Sequence, residues 1–128
     1  MKKVLLDANF LVLPFQFNVS VFDELERVLE ESYQVYTLNR TYNEALELED
    51  GRYREQVERL VDETPVKIVS RESDLEVDDL LVELAGEFVV CTNDSEVRGE
   101  LEEKGLPHIY MRQESYLEGE NLRSSLPF

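Results

Sequence analysis

Short apolar segments alternate with amphipathic helical segments along most of the chain, and this alternation restricts the possible folds more than any other feature. Val4-Leu5-Leu6 is a continuous apolar run, which is typical of a strand buried on both faces in a parallel sheet. Similar runs bring the number of predicted strands to five, at 3–6, 35–38, 66–69, 88–91 and 108–111. Since helical segments separate these strands, the sequence predicts an α/β fold with a parallel sheet and helices on both faces.

Helices are predicted where apolar residues recur at helical spacing. They begin after Ser20, at Arg40, at Gly51, near Glu76 and after Asp94. The segment Phe10–Phe17 is also apolar, but Pro14 interrupts it, so a loop or short turn is predicted there. From residue 112 onward no period is visible. With 128 residues, the chain is expected to form one domain, with a core over about 3–111 and a tail over 112–128.

The charge and composition of the chain exclude several classes of protein. The 29 acidic and 13 basic residues give a net charge of −16 at pH 7, whereas a basic nucleic-acid coat protein or a cationic membrane peptide needs positive charge. The single cysteine, Cys91, excludes an internal disulfide and a cysteine-only metal site. No segment approaches the about 20 apolar residues of a membrane-spanning helix, and no cleavage pattern follows the apolar start. We therefore expect a cytoplasmic protein with no membrane partner.

Acidic residues follow two of the predicted strands and open two of the predicted helices. Asp7 ends the first strand and Asp94 follows the fourth, while Asp78 and Asp79 begin a later helix. Glu44 lies about one turn into the helix after the second strand. Because sites in such sheets lie beyond the carboxyl ends of the strands, near the point where the strand order reverses, we expect these acids to converge.

A convergent group of carboxylates needs a counter-charge, since mutual repulsion raises the pKa values and destabilises the fold. Oxygen-only ligands suit Mg²⁺ or Mn²⁺, so the acids predict metal-assisted hydrolysis of a phosphodiester. Each acid also has a purely structural interpretation. Asp7 can accept hydrogen bonds in a turn, Asp94 can cap a helix, Asp78 and Asp79 can favour a helix dipole, and Glu44 can lie on a solvated face.

Two of these acids each have an arginine about one helical turn away in the sequence. Arg40 precedes Glu44 by four residues and Arg98 follows Asp94 by four. Helical salt bridges are the default interpretation of this spacing. Contacts to substrate phosphate are the alternative.

Taken together, the motifs resemble those of PIN domains, a family of metal-dependent nucleases. The resemblance covers about residues 3–111 and depends on the order and spacing of four segments. These are Leu6-Asp7-Ala8-Asn9, Thr41-Tyr42-Asn43-Glu44, Asp78-Asp79-Leu80-Leu81 with Ala85, and Thr92-Asn93-Asp94-Ser95-Glu96. Residues 10–17 resemble the corresponding segment of archaeal stand-alone members related to the nucleases that process ribosomal RNA.

This resemblance implies a Rossmann-like three-layer sandwich with a five-stranded sheet of order 3-2-1-4-5, and Mg²⁺- or Mn²⁺-dependent endoribonuclease activity. The implied metal-binding and catalytic acids are Asp7, Glu44, Asp78 and Asp94, with Asn9 and Thr92 as polar support and Asp79 and Glu96 as auxiliary acids. Glu47 is the alternative to Glu44, since it lies nearly one turn further along the same face. Small members of the family often pair, which implies a possible homodimer beside the RNA substrate.

Several alternatives remain at this stage. Within the nuclease interpretation, the role is RNA processing, with a processing partner, or that of a toxin with an antitoxin partner. A PIN-fold scaffold without catalysis is a further possibility. A receiver-like Mg²⁺-binding signalling domain needs a lysine after the fifth strand, where Arg112 stands, and an aspartate after the third, where Ser70 stands. A nucleotide-binding module needs a glycine-rich phosphate loop, and only five glycines are spread along the chain.

Overall fold

Six strands form one sheet in the computed structural model, which describes residues 1–122. They are β1 (Lys2–Leu6), β2 (Tyr33–Leu38), β3 (Lys67–Val69), β4 (Val89–Cys91), β5 (His108–Arg112) and β6 (Tyr116–Glu120). The order across the sheet is β3-β2-β1-β4-β5-β6, and the first five strands are parallel. The expected order 3-2-1-4-5 is therefore confirmed, while β6, which pairs antiparallel with β5, was not predicted.

In the described part of the chain, six helices cover the two faces of this sheet. They are α1 (Ala8–Gln16), α2 (Val21–Leu29), α3 (Asn39–Gly51), α4 (Arg54–Glu63), α5 (Val77–Leu84) and α6 (Ser95–Glu103). Val4 and Leu6 pack with buried residues of α1 to α4, whereas Leu5 packs with those of α5 and α6. Side chains of β1 thus alternate between two helical layers, which confirms the three-layer arrangement. None of the helices within residues 1–122 is long and apolar enough to span a membrane.

The segment predicted as a loop or short turn over residues 10–17 is instead part of α1, so this prediction was wrong. Pro14 lies inside the helix, where it costs about 3 kcal/mol relative to alanine. Four consecutive side chains before it, those of residues 10–13, are at most 1% exposed. Burial of each contributes roughly 1.5–3 kcal/mol, and together they outweigh the proline. Packing of α1 therefore decides the conformation, and the helix ends two residues after Pro14 at Gln16, with Phe17 as its C-cap.

The boundary between α3 and α4, which the sequence predicted near Gly51, lies at a strained turn. The helical geometry of α3 is interrupted over Leu48–Asp50, and α4 begins at Arg54. Glu49 (φ 49°) and Asp50 (φ 58°) both adopt the left-handed region, which is unfavourable for residues other than glycine.

Replacement of Asp50 by glycine is expected to raise the free energy of unfolding by about 1 kcal/mol. The left-handed conformation costs an L-residue roughly 1–2 kcal/mol, and the extra freedom of glycine in the unfolded chain offsets only part of this gain. Urea denaturation measures the difference. Asp62→Gly, within α4, is the matched control and should lower stability by about 1 kcal/mol. A destabilised Asp50→Gly protein would contradict the proposed strain.

Strand β6 lies in the segment predicted as a tail. Tertiary contacts stabilise its hairpin with β5, which the turn sequence does not predict. The hairpin turn places Gln113 (φ 54°) and Glu114 (φ 52°) in the left-handed region, where Asn-Gly is the usual sequence. The outer edge of β6 is bound by α2: Leu117 N–H donates to Glu24 Oε1 (2.9 Å), and Arg27 Nη2 donates to Leu117 O (2.7 Å). The remainder of the predicted tail, residues 123–128, lies outside the described residues.

Candidate active site

The first and fourth strands bring their carboxyl ends together at the centre of the sheet. β1 and β4 are parallel neighbours, with Leu6 opposite Cys91. The contact continues past both strands, since Asp7 N–H donates to Cys91 O (3.0 Å). The segments that follow, Asp7–Asn9 and Thr92–Asp94, therefore begin side by side, as the sequence predicted from their positions after strands.

Asp7 is the most deeply buried acid of the group, with only 5% of the residue exposed. As the N-cap of α1, it accepts a hydrogen bond from Ala8 N at Oδ1 (2.8 Å), and Thr92 Oγ1 donates to its Oδ2 (2.6 Å). Burial raises the pKa of the Asp7 carboxyl, and the charge of Asp94 adds to the increase, while the two hydrogen bonds oppose it. A buried carboxylate with incomplete compensation is one that a cation would stabilise.

Asp94 combines its predicted capping role with a position beside Asp7. Its Oδ1 accepts hydrogen bonds from the backbone N–H groups of Glu96 (2.9 Å) and Val97 (3.1 Å) at the start of α6. Its own N–H donates to Thr92 Oγ1 (3.1 Å), the hydroxyl that binds Asp7. These capping bonds orient the carboxylate and leave Oδ2 without a capping hydrogen bond.

Glu44 and Asp78 approach the same site from α3 and α5. Both residues are exposed, in contrast to Asp7. Partial loss of surrounding water raises the pKa of the Glu44 carboxyl, as do the charges of Asp7, Asp78 and Asp94. The same two causes raise the pKa of Asp78, where the charges are those of Asp94, Asp7, Glu96 and Asp79. The four acids predicted to converge therefore repel one another at one edge of the sheet.

Positive side chains do not compensate this group. None of Asp7, Glu44, Asp78 and Asp94 forms an ion pair within residues 1–122, although eight ion pairs form elsewhere in that part of the chain. Glu47, the alternative to Glu44, pairs with Arg54 instead. The structure thus separates the two glutamates: Glu44 faces the other acids and Glu47 faces a cation.

The helical salt bridges predicted between Arg40 and Glu44 and between Arg98 and Asp94 do not form within residues 1–122. Arg98 stacks on the Tyr110 ring, with its guanidinium carbon 3.5 Å from the ring centre, and its ion pair is with Glu102 (3.8 Å). Arg40 has no ion pair in the described part of the chain, and its buried Nη1 has no hydrogen-bond partner there. Neither arginine therefore follows the default interpretation of its spacing, which pairs it with the acid four residues away.

The donors at this edge match the ligand preferences of a hard divalent cation. All four acids supply oxygen, the ligand type that Mg²⁺ and Mn²⁺ bind most often, and their mutual repulsion is the kind that a cation removes. Within residues 1–122, no three His, Cys, Asp or Glu side chains stand close enough to form a finished ligand set.

Polar and acidic neighbours surround the four acids. Thr92 bridges Asp7 and Asp94 through its hydroxyl, and Asn9 Oδ1 accepts a hydrogen bond from Asn93 N (3.3 Å). Asp79 and Glu96 line a small acidic cleft between α5 and α6 together with Asp78. Sequence reasoning missed Asn93, whose side chain binds β5. Its position between Thr92 and Asp94 was the available signal, but a turn residue in contact with solvent fits that position equally well.

The fold agrees with comparisons to known proteins. The family model described as a PIN-like domain matches residues 4–114. The chain belongs to the PIN-like domain family. This PIN-like domain is 27% identical to Ribonuclease VapC4 of Methanocaldococcus jannaschii over 127 residues, which cover 92% of this chain and 96% of that protein. Its fold is similar to the solved structure of the PIN domain endonuclease Utp24, with a TM-score of 0.75, 20% identity, and coverage of 93% and 91% of the two chains.

Proposed function

We propose that this PIN-like domain is a divalent-metal-dependent endoribonuclease that hydrolyses phosphodiester bonds in RNA. The observation that carries the proposal is the group of four acids, contributed by four different segments, that face one another without a positive partner in residues 1–122. Packing alone does not require such a group, because like charges at one edge destabilise the fold. Similarity to a protein named a ribonuclease supports RNA as the substrate.

In this proposal, Asp7, Glu44, Asp78 and Asp94 hold Mg²⁺ or Mn²⁺. An ion held there would supply a lower pKa for an attacking water and charge neutralisation for the leaving oxygen. The protein's own contribution is orientation: Thr92 and the Ala8 amide hold the Asp7 carboxylate, and two amides of α6 hold that of Asp94. Asn9 supports these turns, while Asp79 and Glu96 are auxiliary acids beside Asp78. No side chain acts as a covalent nucleophile.

The proposed contacts to RNA phosphate come from Arg40 and Arg98. Arg40 retains an unpartnered guanidinium nitrogen, and Arg98 is held flat against Tyr110, which lowers the entropy lost when it binds a phosphate. Since most positive side chains within residues 1–122, Arg98 included, take part in ion pairs with acids, the cation site supplies most of the local attraction for RNA. We therefore expect weak RNA binding without metal.

Cleavage of a labelled single-stranded RNA tests the proposed activity. We expect cleavage with Mn²⁺ or Mg²⁺, none with EDTA, and products with 5′-phosphate and 3′-hydroxyl ends, since the leaving group is the ribose 3′ oxygen. A DNA of the same sequence is the matched substrate control. Absence of metal-dependent cleavage over a panel of structured and unstructured RNAs would leave the non-catalytic scaffold as the better interpretation.

For the cellular role, we propose RNA processing in the cytoplasm, and a toxin ribonuclease is the second candidate. Expression of the protein alone separates these roles, because a toxin arrests growth and is encoded beside a small antitoxin, whereas a processing enzyme shows neither property. Light scattering measures whether the protein forms the homodimer that the family resemblance implies.

A further inference from the structure

The pairing between β4 and β5 extends beyond the end of β4. Thr92 N–H donates to Ile109 O (3.0 Å), which continues the parallel ladder one residue past Cys91. The next hydrogen bond is made by a side chain: Met111 N–H donates to Asn93 Oδ1 (2.8 Å). The side-chain carbonyl of Asn93 thus takes the place of a backbone carbonyl of β4. The chain can therefore turn at residues 92–94 without leaving the Met111 amide unpaired.

Strand β6 does not provide an alternative partner for this amide. Met111 lies opposite Leu117 in the antiparallel register. The N–H and C=O of Leu117 point to the other side of β6, where Glu24 and Arg27 bind them. Met111 and Leu117 therefore form a non-hydrogen-bonded pair, and the Met111 amide faces the β4 side. Within residues 1–122, the Asn93 side chain is the acceptor recorded for it.

Asn93 also contacts the turn that carries Asp7. Its backbone N–H donates to Asn9 Oδ1 (3.3 Å), and Asn9 lies two residues after Asp7. On either side of Asn93 are Thr92, which donates to Asp7, and Asp94. One residue therefore connects β5, the turn after β4 and the first turn of α1, which Asp7 caps.

We propose that Asn93 is a positioning residue that sets the separation of the Asp7 and Asp94 carboxylates and thereby the affinity for the divalent cation. This inference rests on the proposed metal-dependent function. The two carboxylates repel each other in the absence of a cation, so the turns that carry them tend to separate. The bonds from Asn93 to Met111 and Asn9 oppose this separation, and they hold the acids near the spacing that one ion can bridge.

Two variants with opposite expectations test this role. Asn93→Leu keeps the size of the side chain but cannot accept the Met111 hydrogen bond, and we expect it to weaken Mn²⁺ binding at least about tenfold, as loss of residues that orient metal ligands commonly does. Asn93→Asp keeps an acceptor and adds negative charge, so it should bind Mn²⁺ at least as tightly as the wild type. Electron paramagnetic resonance titration measures free Mn²⁺, and hydrogen exchange at the Met111 amide reports whether its bond is broken.

If Asn93 only stabilised the fold, loss of a comparable hydrogen bond elsewhere would weaken Mn²⁺ binding equally. Gln34→Leu is the matched control, because it removes another side-chain bond to backbone, from Gln34 Nε2 to Pro65 O (3.2 Å), away from the acids. It should leave Mn²⁺ affinity unchanged. For Asn93→Leu we also expect an unchanged KM for RNA and a reduced kcat that recovers as the Mn²⁺ concentration is raised.

The outcomes separate the two proposals. If the wild type binds Mn²⁺ and Asn93→Leu binds it equally well with an unprotected Met111 amide, the positioning role is wrong and the proposed function stands. Equal weakening by Gln34→Leu would also overturn the role. If the wild type binds no Mn²⁺, both proposals fail. Should Asn93→Leu not fold, Asn9→Ala removes the other contact and should weaken Mn²⁺ binding to a similar extent, and unchanged binding would overturn the role.

Discussion

Replacement of Asp7 by asparagine is expected to lower metal-dependent RNA cleavage more than about 100-fold, since even residues that only orient a metal ligand contribute 10–100-fold. The protein should remain folded. The amide oxygen can still accept the hydrogen bond from Ala8 N, and its NH₂ group can donate to Thr92 Oγ1. Single-turnover cleavage with saturating Mn²⁺ measures the loss of activity, and circular dichroism with heating measures the stability.

The same substitution should raise Tm in metal-free buffer at pH 7. Burial raises the pKa of Asp7, so ionisation of this carboxyl destabilises the folded state at pH values above the raised pKa. The gain in Tm should shrink as the pH falls from the raised pKa towards the ordinary aspartate pKa, and should vanish below it, because Asp7 is then protonated in the folded and the unfolded states. Asp62→Asn, on the exposed surface of α4, is the control and should keep full cleavage. Undiminished cleavage by Asp7→Asn would contradict the proposed site.

Addition of Mn²⁺ is expected to stabilise the wild-type protein strongly. An ion that binds only the folded state adds about 2.7 kcal/mol to the free energy of unfolding at 100 times its Kd. Protons compete with the ion for Asp7, Glu44 and Asp78, whose pKa values are raised, so the stabilisation should decrease as the pH is lowered through these raised values. Thermal unfolding at a series of Mn²⁺ concentrations and pH values measures both effects.

Asp94→Asn should remove most of this stabilisation, because the variant keeps an oxygen for capping α6 but lacks the negative charge. Asp62→Asn should retain it. If Mn²⁺ raised the Tm of Asp94→Asn as much as that of the wild type, the ion would be bound elsewhere. A stabilisation that does not change with pH would also exclude these carboxyls as ligands.

The net charge of −16 has two different origins in this molecule. Many acids lie on the surface, where, within residues 1–122, eight ion pairs bind most of the positive side chains. The four acids at the carboxyl edge of the sheet are different, because they face one another. In the proposed function, a divalent cation neutralises part of the negative charge there, and the remaining acidity limits RNA binding away from the site.

Local pattern predicted most of the sheet because its strands are short apolar runs with unambiguous ends. Where the prediction was wrong, a distant contact outweighed a local signal. Pro14 is a valid helix breaker, yet burial of the residues before it makes α1 helical. The turn at Gln113 and Glu114 lacks the Asn-Gly signal of a tight hairpin, and the contacts of Leu117 with Glu24 and Arg27 stabilise β6 instead.

By itself, the sequence predicted a parallel sheet and the candidate acids, because acids that follow parallel strands lie at the same edge of the sheet. The strand order was implied only by the resemblance to PIN domains. It did not determine how those acids are held. Tertiary structure decided that Glu44 faces the other acids while Glu47 pairs with Arg54, and that Arg98 stacks on Tyr110. It also decided that Asn93 binds Met111. These outcomes depend on side-chain partners far apart in the chain, and sequence spacing contains no information about which partner lies within hydrogen-bonding distance.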